Sequence, residues 1–476
     1  MGYEVVIGVE VHAQLQTKTK LFCGCPTSFG LPPNTQVCPT CLGMPGSLPV
    51  LNQRAVEMAV RTGLALNCDI PLTNRFSRKN YFYPDLPKGY QISQYDLPIC
   101  GRGWLDIIVN GQSKRVRISR AHLEEDAGKN IHDERTEGSH VDLNRAGTPL
   151  LEIVTEPDLH SPDEVDAYLK TLRELLVYLD VCDGNMEQGS FRCEPNVSLR
   201  PQGQEALGTK VELKNINSFR FAKEALEYEI VRQGEVLAEG GTIYQETRLW
   251  DVPKGKTAVM RSKEAAHDYR YFPDPDLLPV KVDAEWMEAL RCTIPELPAA
   301  RLQRLVKQYG LSDSEAKILI DSKGLADYFE SCVREFPHPK TVCNWVMGEL
   351  LRELNTSGTA PEASPVSPDR MVKLLQLVEA GTVSLKAARD LFPELYASNT
   401  DPEQLINEKG LIQISDEGSL GQIIEEVLAK HSAQVDQYRA GKETVLGFLV
   451  GQVMKVSQGK ANPSKVNTLL KRTLKP

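Results

Sequence analysis

The hydrophobic periodicity of this chain changes once, near Pro295, and that change restricts the folds it can adopt. Before this point, apolar and polar residues alternate in short segments broken by Gly and Pro, which is the period-2 pattern of half-buried strands. After it, apolar residues recur at every third or fourth position, as they do on helices that bury one face. The sequence therefore predicts an α+β protein, in which a β-rich, largely antiparallel body precedes an all-α region.

Individual elements can be placed on this pattern. We expect strands at residues 5–11, 105–109, 114–119, 150–155 and 209–213, and helices at 162–179 and 219–234. In the all-α region we expect helices at 297–309, 312–321, 325–335, 340–354, 369–380, 384–392, 419–430, 435–440, 445–457 and 463–474, with a connector rich in Ser, Thr and Pro at 356–368. A chain of 476 residues is long enough for several such domains.

Composition favours a cytoplasmic protein with one polyanion-binding end. No apolar run approaches the ~18 residues of a membrane span, and the first residues look like a strand where a secretory signal would need a long apolar segment. The formal charge is −9, yet residues 438–476 contain eight Lys or Arg and a single acidic residue, Glu443. Such a basic end suits a phosphate backbone, and a solvated helical face is the alternative.

Two close pairs of cysteines, Cys23 with Cys25 and Cys38 with Cys41, are separated by 12 residues and flanked by turn-forming Gly and Pro. Zinc needs four ligands at tetrahedral angles, and two tight turns that each supply two thiolates meet this need. The pattern predicts a closed, structural Zn²⁺ site, with four unligated thiols as the alternative. The other seven cysteines are scattered, as expected of reduced thiols in a cytosolic protein.

Acidic side chains and an imidazole occupy polar positions of several predicted strands. In the first strand, the period of two places Glu10 and His12 on the face opposite a row of Val and Ile side chains. A second acidic group lies at residues 122–126, and Glu152 lies in an otherwise apolar strand. Carboxylates with one His suit a hard cation such as Mg²⁺, which also holds nucleotide phosphates. Taken singly, each acid is more often a solvated or ion-paired residue.

Basic side chains occur near similar strands. The candidates are Lys79 and Lys88 in a loop, Arg192 beside a strand, and Lys210 and Lys214 on the same strand face as Glu212. Cations near a carboxylate-bound metal spread the charge that develops in phosphoryl transfer, although any single one is more often an ordinary solvated side chain. Residues 255–257 look like the end of a P-loop, but Trp250 stands where its first Gly is required, so a nucleotide would have to bind on the sheet.

Several blocks of the sequence resemble the GatB family, the B subunits of the tRNA-dependent amidotransferase. The clearest block is residues 141–153, and others lie at 8–12, 78–87, 122–129, 212–219 and 268–276. Residues 447–455 and 459–463 resemble the YqeY-like tail of that family. The resemblance covers essentially the whole chain. It implies a catalytic cradle domain related to glutamine synthetase at residues 1–292, a helical domain at 293–406 and a small tRNA-binding tail at 407–476.

The resemblance also implies a reaction. ATP with Mg²⁺ would phosphorylate the side-chain carboxylate of Glu on tRNA(Gln), or of Asp on tRNA(Asn), and ammonia would then displace phosphate. By this likeness the magnesium ligands are Glu10, His12, Glu125 and Glu152. Together with the basic candidates above, we expect the catalytic residues of this reaction to be Glu10, Glu125, Glu152, Lys79 and Lys88. Expected contacts to ATP are Arg192, Lys210, Glu212 and Lys214.

The chain shows no convincing glutaminase motif, so ammonia must come from elsewhere. The family supplies it from an amidase (A) subunit that assembles with a small C subunit. Lys79 and Lys88, with the nearby Tyr81 and Tyr83, are candidates to line the ammonia path.

Two other interpretations remain open from the sequence. A non-catalytic RNA-binding scaffold would use the cysteine site and the basic end, but it would leave the acid-bearing strands without a role. A free-standing amino-acid ligase of glutamine synthetase type would not need the basic end. ATP hydrolysis stimulated by misacylated tRNA distinguishes the amidotransferase from the scaffold.

Overall fold

We describe the protein from a computed structural model, for residues 2–133, 138–262, 269–414, 416–457 and 460–474. Asp268 and Gly459, which begin two of the family-like blocks, and Lys475 of the basic end lie outside these ranges. The chain divides into two units, Met1–Pro298 and Ala299–Pro476. Within the described ranges, no helix has both the length and the apolar composition that crossing a membrane requires.

The first unit contains most of the strands that were expected from the alternating pattern. The described strands are β1 (Tyr3–Gln14), β2 (Thr73–Asn74), β3 (Ser77–Asn80), β4 (Tyr90–Ser93), β5 (Gly103–Val109), β6 (Gln112–Glu125), β7 (Lys129–Asp133), β8 (Gly138–Asp142), β9 (Pro149–Thr155), β10 (Phe191–Pro201), β11 (Val211–Lys214), β12 (Glu246–Asp251), β13 (Lys256–Ser262), β14 (Phe272–Pro273) and β15 (Val280–Lys281).

Most of these strands form one large sheet. Its order is β13-β12-β11-β10-β1-β9-β6-β4-β3-β14, with β5 paired to β6, while β15-β2 and β7-β8 form two small sheets. Neighbouring strands run antiparallel except for β11 and β12, which are parallel. The α+β class is confirmed. The large sheet is mixed because of this one parallel pair, and its other pairs are antiparallel, as the largely antiparallel pattern predicted.

One face of the large sheet is covered by helices. The helices of this unit are α1 (Gln53–Ala65), α2 (Pro162–Tyr178), α3 (Phe219–Ala238) and α4 (Ala284–Cys292). Val9 and Val11 of β1 belong to the same buried apolar cluster as Leu172 of α2 and Leu226 of α3. Because side chains alternate along a strand, the intervening polar residues point to the opposite face.

The second unit is helical in the described ranges. Its helices are α5 (Pro298–Tyr309), α6 (Asp313–Ile320), α7 (Lys323–Glu335), α8 (Pro339–Trp345), α9 (Leu351–Ser357), α10 (Pro368–Glu379), α11 (Leu385–Ala397), α12 (Pro402–Glu408), α13 (Glu417–Lys430), α14 (Ser432–Arg439), α15 (Val445–Val456) and α16 (Pro463–Leu474). Helices α13 to α16 share a buried apolar cluster that includes Leu420, Leu449 and Leu470.

Most of the expected helices are confirmed to within a few residues. The segment 340–354 is not one regular helix, because a π-helical turn at Val346–Leu350 joins α8 to α9. Helices α1, α4 and α12 were not expected. In α1 the buried residues include Arg61 and Thr62 as well as apolar side chains, so the apolar periodicity that would reveal a helix is interrupted.

Candidate functional site

Five consecutive strands of the large sheet, β11, β10, β1, β9 and β6, carry polar side chains on the face opposite the apolar core. His12 of β1 lies opposite Glu152 of β9, and Glu152 lies opposite His122 of β6. On the other side of β1, Glu10 lies opposite Glu194 of β10. Since residues directly opposite one another share a face, this register collects the polar side chains into two groups.

The first group, which we call the histidine cluster, consists of His12, His122, Glu124 and Glu152. Nε2 of His12 lies 3.6 Å from Oε1 of Glu124 and 3.4 Å from Oε2 of Glu152. Nε2 of His122 lies 3.3 Å from Oε2 of Glu152. Ligand atoms of His12, Glu124 and Glu152 all lie within 4.8 Å of one another. This spacing fits one cation whose ligands are about 2.0–2.1 Å away, as for Mg²⁺.

Burial and opposite charge act against each other in the histidine cluster. Burial lowers the pKa of His12, but the hydrogen bond and charge of Glu152 outweigh it and raise this pKa to about 9. For His122 the charge of Glu152 likewise outweighs burial and raises the pKa to about 9. Burial raises the pKa of Glu152, yet the two histidines hold it well below its usual value. Without a cation, the cluster at pH 7 therefore pairs two imidazoliums with two carboxylates.

The second group, the glutamate cluster, consists of Glu10, Glu194 and Glu212. Their ligand atoms lie within 4.8 Å of one another. Nζ of Lys214 lies 2.5 Å from Oε2 of Glu194 and 3.5 Å from Oε1 of Glu212. Nδ2 of Asn196 donates a hydrogen bond of 3.2 Å to Oε1 of Glu10. Two of the three carboxylates thus share one ammonium group, and this second set also has the oxygen donors that Mg²⁺ prefers.

Like charges are crowded in the glutamate cluster. Burial raises the pKa of Glu10, and the charges of Glu152 and Glu194 raise it further. Burial lowers the pKa of Lys214, but the charges of Glu194 and Glu212 outweigh it, so that the net shift is upward. The excess negative charge is what a divalent cation would neutralise.

A cavity of about 860 Å³ is connected to both clusters through two lysines of its lining. Lys214 forms ion pairs within the glutamate cluster, and Lys79 interacts electrostatically with carboxylates of the histidine cluster. The lining of the cavity includes Lys79 and Lys214 together with the rings of Tyr81, Tyr83 and Tyr269. Nζ of Lys79 lies 5.0 Å from the ring centre of Tyr269 and 5.7 Å from that of Tyr81. Burial lowers the pKa of Lys79, but the carboxylates of the histidine cluster outweigh it and the net shift is upward. A cavity with fixed cations and aromatic walls beside two acidic clusters suits a nucleotide.

The four residues that were expected on one magnesium ion are divided in the structure. His12 and Glu152 meet in the histidine cluster, where the second carboxylate comes from Glu124. Glu10 belongs to the glutamate cluster. Glu125 belongs to neither group.

A shift of pairing in β6 explains where Glu125 lies. The register with β9 shifts between Ile118 and Arg120. Ile118 is buried before the shift, and Ala121 and Leu123 are buried after it, so the parity of core-facing residues changes from even to odd numbers. Glu125 is odd-numbered, like the core-facing residues after the shift, and so it does not face the site. Glu124 is even-numbered and does face the site.

Glu125 lies instead in a second, smaller cavity of about 210 Å³. It forms an ion pair with Lys88, and its Oε1 accepts a hydrogen bond of 2.9 Å from the backbone amide of Ile92. Lys88 lines this cavity, whereas Lys79 lines the larger one. The two lysines that were expected to act together thus lie in different cavities.

The remaining candidates for ATP contact also differ in position. The guanidinium of Arg192 forms two hydrogen bonds with Asp126, of 3.0 and 3.2 Å. Lys210 is exposed just before β11 and is not among the residues that line the large cavity. Glu212 and Lys214 belong to the glutamate cluster and its surroundings, as their shared strand face predicted.

The four cysteines of the expected zinc site lie together between β1 and α1. Their four Sγ atoms all lie within 4.8 Å of one another, and the Sγ atoms of Cys38 and Cys41 are 3.9 Å apart. Tetrahedral zinc with bonds of ~2.3 Å places its sulfurs ~3.8 Å apart, so the arrangement fits this metal. A hydrogen bond from Cys23 is the largest influence on the Cys41 thiol and lowers its pKa to about 4.

Sequence reasoning did not select Glu124, His122 or Glu194. His122 and Glu124 have the period of two expected of a strand face, and both lie in the acidic stretch that was noticed. Glu194 had a weaker signal, an acidic residue at a polar position beside Arg192. In each case the missing information was the register between strands.

Comparison with known proteins assigns both parts of the chain to one family. Residues 5–288 match the family described as the GatB/GatE catalytic domain, and residues 327–474 match the GatB domain. A protein of Geobacter sulfurreducens described as the B subunit of aspartyl/glutamyl-tRNA(Asn/Gln) amidotransferase is 56% identical over 478 residues, with 100% of both chains covered. Proteins with the same description from Thermodesulfovibrio yellowstonii and Trichlorobacter lovleyi are 54% and 53% identical, again with 100% of both chains covered.

Proposed function

The chain belongs to the GatB/GatE family, and on that premise we propose that it is the B subunit of an aspartyl/glutamyl-tRNA amidotransferase. It amidates Glu-tRNA(Gln), Asp-tRNA(Asn) or both, in a reaction that consumes ATP. The observation that carries this proposal is the pair of carboxylate clusters on one sheet face beside a basic, aromatic cavity.

The chemistry requires a better leaving group on the substrate carboxylate. A side-chain oxygen of the tRNA-bound glutamate attacks the γ-phosphorus of ATP, the bond from that phosphorus to the β–γ bridging oxygen breaks, and ADP leaves. Ammonia then attacks the carbonyl carbon of the acyl-phosphate, and inorganic phosphate departs. Both steps develop charge on phosphate oxygens, so fixed cations close to them lower the barrier.

Two sets of residues would hold magnesium. The sets are His12, Glu124 and Glu152 in the histidine cluster, and Glu10, Glu194 and Glu212 in the glutamate cluster. Bound Mg²⁺ would neutralise charge on the nucleotide phosphates. Lys79 and Lys214, which both line the large cavity, add positive charge that needs no reorganisation during the reaction.

The partners follow from the same proposal. An amidase (A) subunit supplies ammonia and a small C subunit completes the assembly. Lys79, Tyr81 and Tyr83 in the large cavity and Lys88 in the small one are the candidates to line the ammonia path. The cysteine cluster holds structural zinc, and the tail at 407–476 contacts the tRNA backbone without taking part in the chemistry. The relation of the cradle to glutamine synthetase stays a prediction.

The test follows the γ-phosphate. The purified complex is given labelled ATP and Glu-tRNA(Gln), first without a nitrogen donor and then with ammonium chloride replacing glutamine. We expect label on the tRNA-bound glutamate in the first case, and equal amounts of ADP, phosphate and Gln-tRNA(Gln) in the second. Uncharged tRNA(Gln) is the control.

Other outcomes would favour the other interpretations. Tight binding of Glu-tRNA(Gln) with no consumption of ATP would refute the proposal and favour an RNA-binding scaffold. Amidation of free glutamate at the same rate would favour a free-standing ligase.

A further inference from the structure

Lys20 is a fully buried lysine whose ammonium group lies beside the cysteine cluster. Its side chain is 0% exposed. Nζ donates hydrogen bonds to the carbonyl oxygens of Gln36 (2.7 Å) and Leu143 (3.3 Å), and to Sγ of Cys41 (3.6 Å). Carbonyl groups satisfy the donors of an ammonium ion but do not neutralise it, and a buried charge without a counter-charge is strongly unfavourable.

The counter-charge must come from the cysteines. In the part of the chain that the structure describes, Lys20 forms no ion pair with a carboxylate, and Glu125 on the wall of the same cavity is paired with Lys88. The group within reach that can carry this charge is Sγ of Cys41, 3.6 Å from Nζ of Lys20. A thiolate is also the form of cysteine that binds a metal.

Charge balance gives Lys20 a definite role. Zinc bound by four thiolates carries two excess negative charges, and burying such an ion is costly unless a cation lies close by. We propose that Lys20 is the internal counter-ion of the zinc-loaded cysteine cluster and fastens that cluster to the segment at Leu143. The inference rests on the zinc site proposed above. It makes Lys20 a positioning residue, without contact to the substrate.

Further hydrogen bonds connect the region of the cysteine cluster with the segment around Leu143. Asn34 lies between the two cysteine pairs in the sequence. Its Nδ2 donates a hydrogen bond to the carbonyl oxygen of Val141 (2.9 Å), and its Oδ1 accepts one from the backbone amide of Leu143 (2.8 Å). The amide of Leu21, next to Lys20, donates to the carbonyl oxygen of Gly147 (2.9 Å). The segment held in this way leads directly into β9, the strand that carries a carboxylate of the histidine cluster.

Gly147 lies in close contact with Lys20 and Cys41. A Cβ added there would meet Cδ of Lys20 at 3.4 Å, Cβ of Cys41 at 3.6 Å and Oε2 of Glu125 at 3.9 Å. Gly147 also has a φ of +88°, which favours glycine. Lys20 and Cys41 therefore pack against the segment itself and against the wall of the smaller cavity.

The experiment measures how firmly the assembled complex holds its zinc. We compare the wild type with Lys20→Met, with Lys20→Gln, which keeps a hydrogen-bond donor but removes the charge, and with Lys18→Met at an exposed position nearby. Loss of a partner around metal ligands costs on the order of 10–100-fold in metal affinity. We expect zinc transfer to an excess of a coloured chelator to be at least about tenfold faster in both Lys20 variants and unchanged in Lys18→Met.

Cobalt substitution gives a second, spectroscopic readout. All variants should keep the absorption of a four-sulfur cobalt site, but the sulfur-to-cobalt charge-transfer band should move to lower energy without Lys20, because the thiolates lose a neighbouring positive charge. Lys20→Arg keeps the charge, and the adjoining cavity of about 210 Å³ leaves room for its larger head group. This variant should restore slow zinc loss. If Lys20→Met does not fold, Lys20→Gln and Lys20→Arg carry the comparison.

The outcomes distinguish the role of Lys20 from the presence of zinc. Zinc release and cobalt spectra that are equal in all variants would overturn the role of Lys20 and leave the zinc site intact. A wild-type complex that amidates Glu-tRNA(Gln) but contains no zinc would overturn both the zinc site and this inference, and would leave the amidotransferase function standing.

Discussion

The histidine cluster and the glutamate cluster lie side by side on one sheet face, yet they balance their charge in different ways. In the first, His12 and His122 have pKa values raised to about 9 and pair with two carboxylates. In the second, which contains three carboxylates, the ammonium of Lys214 pairs with those of Glu194 and Glu212. One cluster is close to neutral before any cation binds, and the other has an excess of negative charge.

This difference determines what a metal ion must displace at each place. At the histidine cluster, Mg²⁺ competes with protons on imidazole, because a histidine must be neutral to act as a ligand. At the glutamate cluster, Mg²⁺ relieves the repulsion that contributes to the raised pKa of Glu10. The same sheet therefore offers two cation sites that should differ in affinity and in response to pH, although glutamates contribute ligands to both.

The largest expected effect comes from removing one carboxylate from each cluster. Glu152→Ala and Glu10→Ala should each slow formation of the acyl-phosphate by on the order of 10²–10³, about 2.7–4 kcal/mol, by analogy with the loss of one group that stabilises transition-state charge. The measurement is γ-phosphate transfer to Glu-tRNA(Gln), with Glu187→Ala at an exposed position as control. Near-normal transfer in Glu10→Ala alone would show that only the histidine cluster serves the reaction. Near-normal transfer in both variants would remove the catalytic role altogether.

A smaller effect on Mg²⁺ binding should follow from removing a hydrogen bond that orients a ligand of the glutamate cluster. Asn196 donates a hydrogen bond to Glu10 and contacts no residue of the histidine cluster in the described hydrogen bonds. Asn196→Ala should lower Mg²⁺ affinity at the glutamate cluster by about 10–100-fold, as loss of a partner to a metal ligand does. Asn196→Asp would add a further negative charge at the same position and should not reproduce this loss. Titration calorimetry in the Glu152→Ala background measures Mg²⁺ binding at the glutamate cluster alone, because the histidine cluster has lost a ligand. An unchanged Mg²⁺ affinity in Asn196→Ala would mean that Asn196 does not orient Glu10.

The smallest expected effect is a difference in pH dependence. Protons occupy His12 and His122 below about pH 9, so raising the pH from 7 to 8 should tighten Mg²⁺ binding at the histidine cluster by about tenfold for each proton displaced. At the glutamate cluster the competing proton belongs to a carboxyl group, so its affinity should change at lower pH. Glu10→Ala leaves the first site for measurement and Glu152→Ala leaves the second. Equal pH profiles in these two variants would contradict the comparison.

The positions of some site residues follow from spacing within one strand, whereas the positions of others depend on the register between strands. The spacing of Glu10 and His12 placed both on one strand face, and the structure agrees. Glu125, chosen from family resemblance, lies outside the two acidic groups, because the shift between Ile118 and Arg120 changes which residues face the site. Local alternation is interrupted at such a shift, and one sequence alone does not reveal it.

The sequence by itself determined the features that depend on a few neighbouring residues: the α+β succession, the polar strand faces and the two cysteine pairs. Backbone geometry repeats over two or about four residues, so these features follow from composition and spacing. Only the tertiary structure decided that Glu124 meets His12, that Glu194 meets Glu10, and that Lys20 is buried against Cys41. These contacts depend on register, on strand order and on the packing of distant loops, which no local period specifies.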